Sequence, residues 1–253
     1  MRGAGYESLF TDLAKQYSKH RFGYPPELYE FLSETSLEHD LAWDCATGSG
    51  QAATSLAKHF RKVLATDANA EQIENAHQHK NVEYVVCPAE RSVLSDESVD
   101  LLTVAQALHW FDLDAFYKEA QRVLKPGGVI AVWCYNKAET DREIKRVVRE
   151  LSNGILGPYW SDRVRLVEND YRTIRFPFEE IEAPTFSATT VWKEADFIGY
   201  LSSWSAVKTY LAANGHNALD TIAEELRAAW GDPEEAKTFT WPLPMRVGRK
   251  IGK

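Results

Sequence analysis

Ala42-Trp43-Asp44-Cys45-Ala46-Thr47-Gly48-Ser49-Gly50-Gln51 decides the fold of this chain. A short apolar strand runs into an acid, two glycines one residue apart follow, and a helical stretch, Gln51–Phe60, opens directly behind them. Glycines at such a turn let backbone approach a ligand closely, and the helix N-terminus offers free N–H groups and positive potential. The next apolar segment, Val63–Thr66, leads into Asp67. A carboxylate at that strand end can accept hydrogen bonds from both hydroxyls of a ribose, so the pattern reads as a nucleotide-type site.

Outward from this stretch, short apolar strands alternate with amphipathic helices, the pattern of a parallel α/β sheet. Strands are expected at Leu41–Asp44, Val63–Thr66, Val82–Val86, Val99–Val104 and Val129–Tyr135, with helices at Gln51–Phe60, Glu71–Gln78 and Asp114–Leu124. Pro88, Ser92, Ser95 and Asp96 make the segment after Val86 a loop. Lys125-Pro126-Gly127-Gly128 is expected to stop a helix and start the fifth strand. Ahead of the sheet, Glu7–Lys19 reads as one helix, and Tyr24-Pro25-Pro26 turns into another. Behind it come a charged helix at Thr140–Leu151, an irregular stretch at Asn153–Glu180 and a strand ending at Val191-Trp192. A helix at Glu194–Leu211 broken near Ser202, one at Leu219–Trp230 and a single closing strand at Phe239–Val247 complete the reading. The long aromatic-bearing connection from 153 to 216 is the kind that caps a site.

Composition narrows the class. The chain has 253 residues, 44% hydrophobic and 26% charged, as an ordinary globular protein does. Its longest apolar run, Val129–Tyr135, is far short of the roughly 20 residues a membrane helix needs, and MRGAGYESLF does not read as a signal peptide. A net charge of −8 repels nucleic acid at long range. Cys45, Cys87 and Cys134 form no CxxC pair and read as buried thiols of a cytoplasmic protein. No cluster has metal-ligand spacing, so no metal is expected. The partners expected are a small-molecule acceptor, with no nucleic acid and no membrane, in a monomer or homodimer.

Two ligand classes fit the glycine turn. Gly48-Ser49-Gly50-Gln51-Ala52-Ala53 approximates the dinucleotide fingerprint with Ala53 in the third glycine position, so a nicotinamide-dependent oxidoreductase stays open. Asp44 stands where it would repel a pyrophosphate. An acid there better suits a ligand carrying an amine and a sulfonium, both cationic.

DCATGSGQ, followed by LATDANAEQIENA, CPAERSVLSDESVDLLTVAQALHWFD and RVLKPGGVIAVW, resembles a class I S-adenosylmethionine-dependent methyltransferase. Within that superfamily the chain is most similar to the branch containing trans-aconitate methyltransferase. The resemblance covers residues 5–136 and extends to Trp204-Ser205, Trp230-Gly231, Trp241-Pro242-Leu243 and Arg246-Val247-Gly248-Arg249. It implies one Rossmann-like domain with a seven-stranded sheet and helices on both faces. Its cofactor core would be 5–136, its substrate cap 153–216, and its final helix and closing strand 217–253. The cofactor implied is S-adenosylmethionine, leaving S-adenosylhomocysteine as product.

The resemblance also implies roles. Asp44, Ala46, Gly48 and Gly50 would wrap the amino-acid part of the cofactor. Cys45-Ala46 departs from the family's commoner acid–x–glycine pattern. Asp67 would hold the ribose, Ala68 would lie against the adenine, and Ala89-Glu90 would meet the adenine amine. Tyr17 and Arg21 would close over the cofactor carboxylate, for which an arginine fork is suited. Gln106 follows the fourth strand beside the cofactor, and His109 and Trp110 would face the transferred methyl, His109 being the first candidate for a general base. Tyr159, Trp160, Arg163, Arg172, Arg175 and Trp204 suit a small anionic acceptor. The alternative within the same fold is a binding protein that holds S-adenosylmethionine without turnover.

Overall fold

The apolar runs at Leu41, Val63, Val99 and Val129 become strands buried on both faces, as parallel strands covered by helices are, while Val82–Val86 at the sheet's edge is only half-buried. A computed structural model describes residues 22–252. Its elements begin with α1 (Pro26–Thr35), β1 (Leu41–Cys45), α2 (Gln51–Leu56), β2 (Lys62–Asp67), α3 (Ala70–Glu74), β3 (Val82–Val86) and β4 (Val99–Ala105). They continue with α4 (Leu113–Val123), β5 (Leu124–Trp133), α5 (Arg142–Arg149), α6 (Val164–Glu168), β6 (Glu179–Ile181) and β7 (Phe186–Trp192). The last are α7 (Glu194–Ser202), α8 (Ser205–Asn214), α9 (Ala223–Trp230), β8 (Lys237–Leu243) and β9 (Met245–Arg249). The helix expected at Glu7–Lys19, with Tyr17 and Arg21, lies outside the described residues.

The chain divides into two compact units. The sheet unit comprises Gly23–Tyr135, Leu166–Phe186 and Leu243–Lys253. Its seven strands run in the order β3-β2-β1-β4-β5-β9-β6, an α/β Rossmann-like sheet. The first five are parallel, and β9 is antiparallel to both β5 and β6. Successive strands run outward from β1 to β3 and then restart at β4 on the other side of β1. That reversal is the switch point at which open α/β sheets bind ligands beyond the carboxyl ends of their strands. Trp43, Leu102, Val104, Phe116, Ile130 and Val132 are among the core residues beneath it. The indole N–H of Trp43 donates to Thr66 Oγ1 at 2.9 Å, so a large buried ring carries no orphaned donor.

Two expectations are corrected. Lys125 to Gly128 does not cap the helix: α4 ends at Val123, and β5 already begins at Leu124. Proline disfavours the helical conformation in the residue before it, which keeps Lys125 out of the helix; Leu124 pairs with Val99, and residues 125–128 bulge before Val129 pairs with Leu101. The strand enters irregularly, with a register shift between Val99 and Leu101 on β4. The single closing strand at Phe239–Val247 is two strands, β8 and β9, in different sheets. Pro244, between them, has no N–H to continue a ladder and accepts instead from Cys134 N through its carbonyl.

The second unit comprises, among the described residues, Phe22, Asn136–Arg165 and Ser187–Pro242. A two-stranded sheet, β7 with β8, is marginal alone, and aromatic packing supplies what it lacks. Phe239, Trp241 and Leu243 alternate along β8 and are buried. Phe239 stacks on Phe197 at 4.5 Å and Trp241 meets Trp192 at 5.3 Å. Three cysteines are free and buried. No helix among the described residues is long and apolar enough to cross a membrane.

Candidate active site

The turn after β1 is built from left-handed residues. Ala46, Gly48 and Gly50 have φ of 56°, 55° and 82°, and Thr47 N donates to Thr66 O at 2.9 Å, tying the turn to the end of β2. The two glycines do different work. A Cβ on Gly50 would lie 2.3 Å from the Tyr84 hydroxyl, so its missing side chain is the room Tyr84 occupies. A Cβ on Gly48 would meet nothing closer than Gln72 Oε1, at 3.8 Å. Open backbone for a ligand is therefore found at Gly48 rather than at both positions.

Two carboxylates stand behind this turn. Asp67 Oδ2 accepts from Gly48 N and Oδ1 from Asn69 N, each at 2.9 Å, which fixes the carboxylate while leaving lone pairs on both oxygens. Burial raises its pKa, opposed by backbone N–H groups of Asn69, Gly48 and Ala68. Asp44 is almost wholly buried and accepts from the hydroxyls of Thr47, at 2.5 Å, and Thr103, at 2.8 Å. Burial pushes it up to about 6, with the Thr47 and Thr103 bonds working against that rise. Asp44, at about 6, is therefore largely ionised at neutral pH and available as a counter-charge to a cation.

The residues that sequence reasoning missed follow Asp67. Asn69 Nδ2, Glu71 Oε2 and Gln72 Oε1 are buried and have no hydrogen-bond partner among the described residues. Buried polar groups are ordinarily paired, so a cluster of orphans beside an open glycine marks a place built to meet another molecule. The signal available beforehand was the run Asn-Ala-Glu-Gln directly behind a strand-end acid. Exposed Ala68 lies between this cluster and Asp67.

The turns after β3 and β4 are different. Glu90 Oε1 accepts from Asp112 N at 2.9 Å, beside buried Ala89. Gln106, at φ 55°, is engaged on both ends: its Nε2 donates to Tyr135 O at 3.0 Å and its Oε1 accepts from Tyr135 N at 2.8 Å. That carboxamide closes β4 against the end of β5. Buried His109 hydrogen-bonds through Nδ1 to the Tyr171 hydroxyl at 2.8 Å, and its ring tilts against Trp110 at 4.7 Å. Tyr171 is fully buried in the left-handed region, at φ 58°. Sequence gave no sign of it, because nothing local marks a tyrosine for that conformation.

The expected acceptor residues fall in both units. In the sheet unit, exposed Arg172 pairs with Asp170 at 3.2 Å, while Arg175 lines a groove with Tyr117, Lys118 and Gln121. In the aromatic unit, Trp160 Nε1 donates to Ser152 O at 2.9 Å and its ring meets Trp204 at 5.6 Å. The Tyr159 hydroxyl accepts from Asn214 Nδ2, also at 2.9 Å. Arg163 is exposed in the same unit. Among the described residues, no group of three or more His, Cys, Asp or Glu could hold a metal ion.

A family model described as a methyltransferase domain matches residues 43–132, the stretch from β1 to β5. A protein of Dictyostelium discoideum, provisionally named a methyltransferase, is 37% identical over 229 residues, spanning 89% of this chain and 87% of its own. Methyltransferase cfoB of Aspergillus candidus is 28% identical over 264 residues, spanning 94% of this chain and 77% of its own. A solved structure from Anaeromyxobacter dehalogenans, provisionally described as a type II methyltransferase, is 43% identical with a TM-score of 0.84. That match covers 92% of this chain and 99% of the other.

Proposed function

The chain belongs to the class I S-adenosylmethionine-dependent methyltransferases, and from that premise we propose that it methylates a small anionic acceptor, a carboxylic acid being the first choice. The observation that carries the cofactor half is the Asp67 carboxylate, held by Gly48 N and Asn69 N with lone pairs to offer beside an open glycine. The donor set fits the group. Asp67 accepts from ribose hydroxyls, Asp44 balances the cationic amine and sulfonium from beneath the turn, and the backbone of Ala46 and Gly48 holds the amino-acid part. Gly50 maintains the turn by admitting Tyr84. Ala68 and Ala89 line the adenine, and the second oxygen of Glu90 meets its amine. Asn69 and Gln72 add a donor and an acceptor that have no partner among the described residues. Tyr17 and Arg21 are assigned to the cofactor carboxylate on the resemblance alone.

Bound S-adenosylmethionine supplies a methyl group already activated by its sulfonium. The chain must then align an acceptor oxygen in line with that methyl and keep water out. A carboxylate is ionised near neutral pH and needs no base. His109, buried and tied to Tyr171, is assigned to holding the turn that carries Trp110 rather than to moving a proton. Gln106 is likewise assigned to shaping this wall. The acceptor's charge is assigned to arginines of the set Arg163, Arg172 and Arg175, with Tyr159, Trp160 and Trp204 as aromatic surfaces.

Calorimetric titration with S-adenosylhomocysteine, beside NAD and NADP, tests the cofactor. Micromolar binding of the first alone is expected. Binding of a nicotinamide cofactor in its place would overturn the function and leave only the sheet.

A further inference from the structure

The aromatic unit contains a cavity of about 160 Å³ lined by two facing helical surfaces. Phe197 and Tyr200 on α7, with Trp204 just beyond it, follow an i, i+3, i+7 spacing and form one wall. Lys145 and Arg149 on α5, with Ser152 on the π-helical turn that extends it, form the other at i, i+4, i+7 spacing. The segment from Asn136 to Thr140, pinned to β8 by the bridge from Glu139 to Thr240, closes the third side.

Size and charge narrow what fits. A cavity of roughly 150 Å³ with apolar walls holds one benzene ring, so this one takes a single ring and not a larger skeleton. Phe197 and Tyr200 are buried and stacked at 6.1 Å, and Tyr200 meets Trp204 edge-on at 6.0 Å, giving flat, rigid aromatic faces. Three cations line the cavity, Lys137, Lys145 and Arg149, against one acid, Glu139. Glu139 pairs with Lys145 at 2.5 Å, and Lys137 donates to the neutral amide of Asn153 at 3.3 Å. The Arg149 guanidinium has no ion-pair or hydrogen-bond partner among the described residues. Once Glu139 is neutralised, the cavity keeps an excess of positive charge at its rim and aromatic carbon on its wall.

We propose that this cavity binds a single-ring aromatic carboxylate, its ring against Phe197, Tyr200 and Trp204 and its carboxylate on Arg149 with Lys137. This site belongs to the aromatic unit by itself and goes beyond the acceptor residues assigned above. A planar guanidinium fork matches a carboxylate in two parallel hydrogen bonds, which an amide of the same shape cannot form.

The test uses the full chain saturated with S-adenosylhomocysteine and titrated calorimetrically with benzoate, benzamide and succinate. Benzoate is expected to bind, with benzamide and succinate at least about tenfold weaker, roughly the loss of one charge-assisted pair. Arg149→Met, at an exposed position, is expected to weaken benzoate about tenfold and leave benzamide unchanged, and Lys137→Met to weaken it less. Equal binding of benzamide, preference for succinate, or indifference of benzoate to both substitutions would overturn the assignment. No benzoate binding while S-adenosylhomocysteine still binds would overturn it too and leave the methyltransferase reading standing. Failure of S-adenosylhomocysteine itself to bind would remove that reading, while the benzoate titration alone decides the cavity.

Discussion

Two turns at the carboxyl edge of the same sheet treat their polar groups in opposite ways. After β4, the protein answers its own demands: the Gln106 carboxamide is engaged at both ends by Tyr135, and His109 is held by Tyr171. After β1 and β2, the demands are left open: Asp67 keeps lone pairs, and Asn69, Glu71 and Gln72 present buried atoms with no partner. Leaving such atoms unmatched destabilises a protein by about 1–3 kcal/mol each. The difference teaches that candidate residues at a strand's end are not equivalent. A polar group completed by the fold is scaffold, and one left incomplete is available for a ligand.

The comparison can be broken most forcefully at Gly50. Gly50→Ala places a Cβ in the left-handed region and against the Tyr84 hydroxyl. The conformation costs about 1–2 kcal/mol and the overpacking about 1–3 more. Chemical denaturation should show a loss of roughly 3 kcal/mol, partly restored by adding Tyr84→Ala. No rescue would mean that Tyr84 is not what Gly50 makes room for.

Asp44 gives the next largest effect. Its folded pKa, about 6, lies above the ordinary 3.8, so the folded chain holds an extra proton between those values. Stability therefore falls as pH rises through that window, by about 3 kcal/mol at ~1.4 kcal/mol per pH unit. Asp44→Asn should lack the fall, so that the two proteins' stabilities diverge from pH 4 to pH 6 and run parallel above it. Parallel curves throughout would show that the buried acid does not titrate there.

Tyr171→Phe removes the partner of a buried histidine and should destabilise the chain by about 1–3 kcal/mol. On the reading that this turn is scaffold, affinity for S-adenosylhomocysteine should stay within about twofold of wild type. A much larger loss would move the β4 turn into the binding site.

Much of the sheet was legible because a parallel strand buried on both faces reads as an unbroken apolar run, as Val129 to Trp133 does. The closing strand was not, since Phe239 to Val247 keeps one pattern while its pairing partner changes at Pro244, and pairing is a property of distant chain. Asp67 was legible from its place behind a strand. The difference between Gly48 and Gly50 was not, because it depends on Tyr84, which reaches the turn from β3. Tyr171 escaped for the same reason: its conformation and its bond to His109 are set by packing, with no local sequence sign. The orphaned atoms at Asn69, Glu71 and Gln72 become visible only when every possible partner has a position.

The most direct test of this account is the affinity for S-adenosylhomocysteine of Asp67→Ala beside Tyr171→Phe, with unfolding measured on both. Asp67→Ala is expected to weaken binding by about 10–100-fold, as loss of charge-assisted bonds does, while Tyr171→Phe leaves it nearly unchanged despite its own loss of stability. Undiminished binding by Asp67→Ala, or equal weakening by both, would contradict the claim that the incomplete turn, and not the completed one, holds the cofactor.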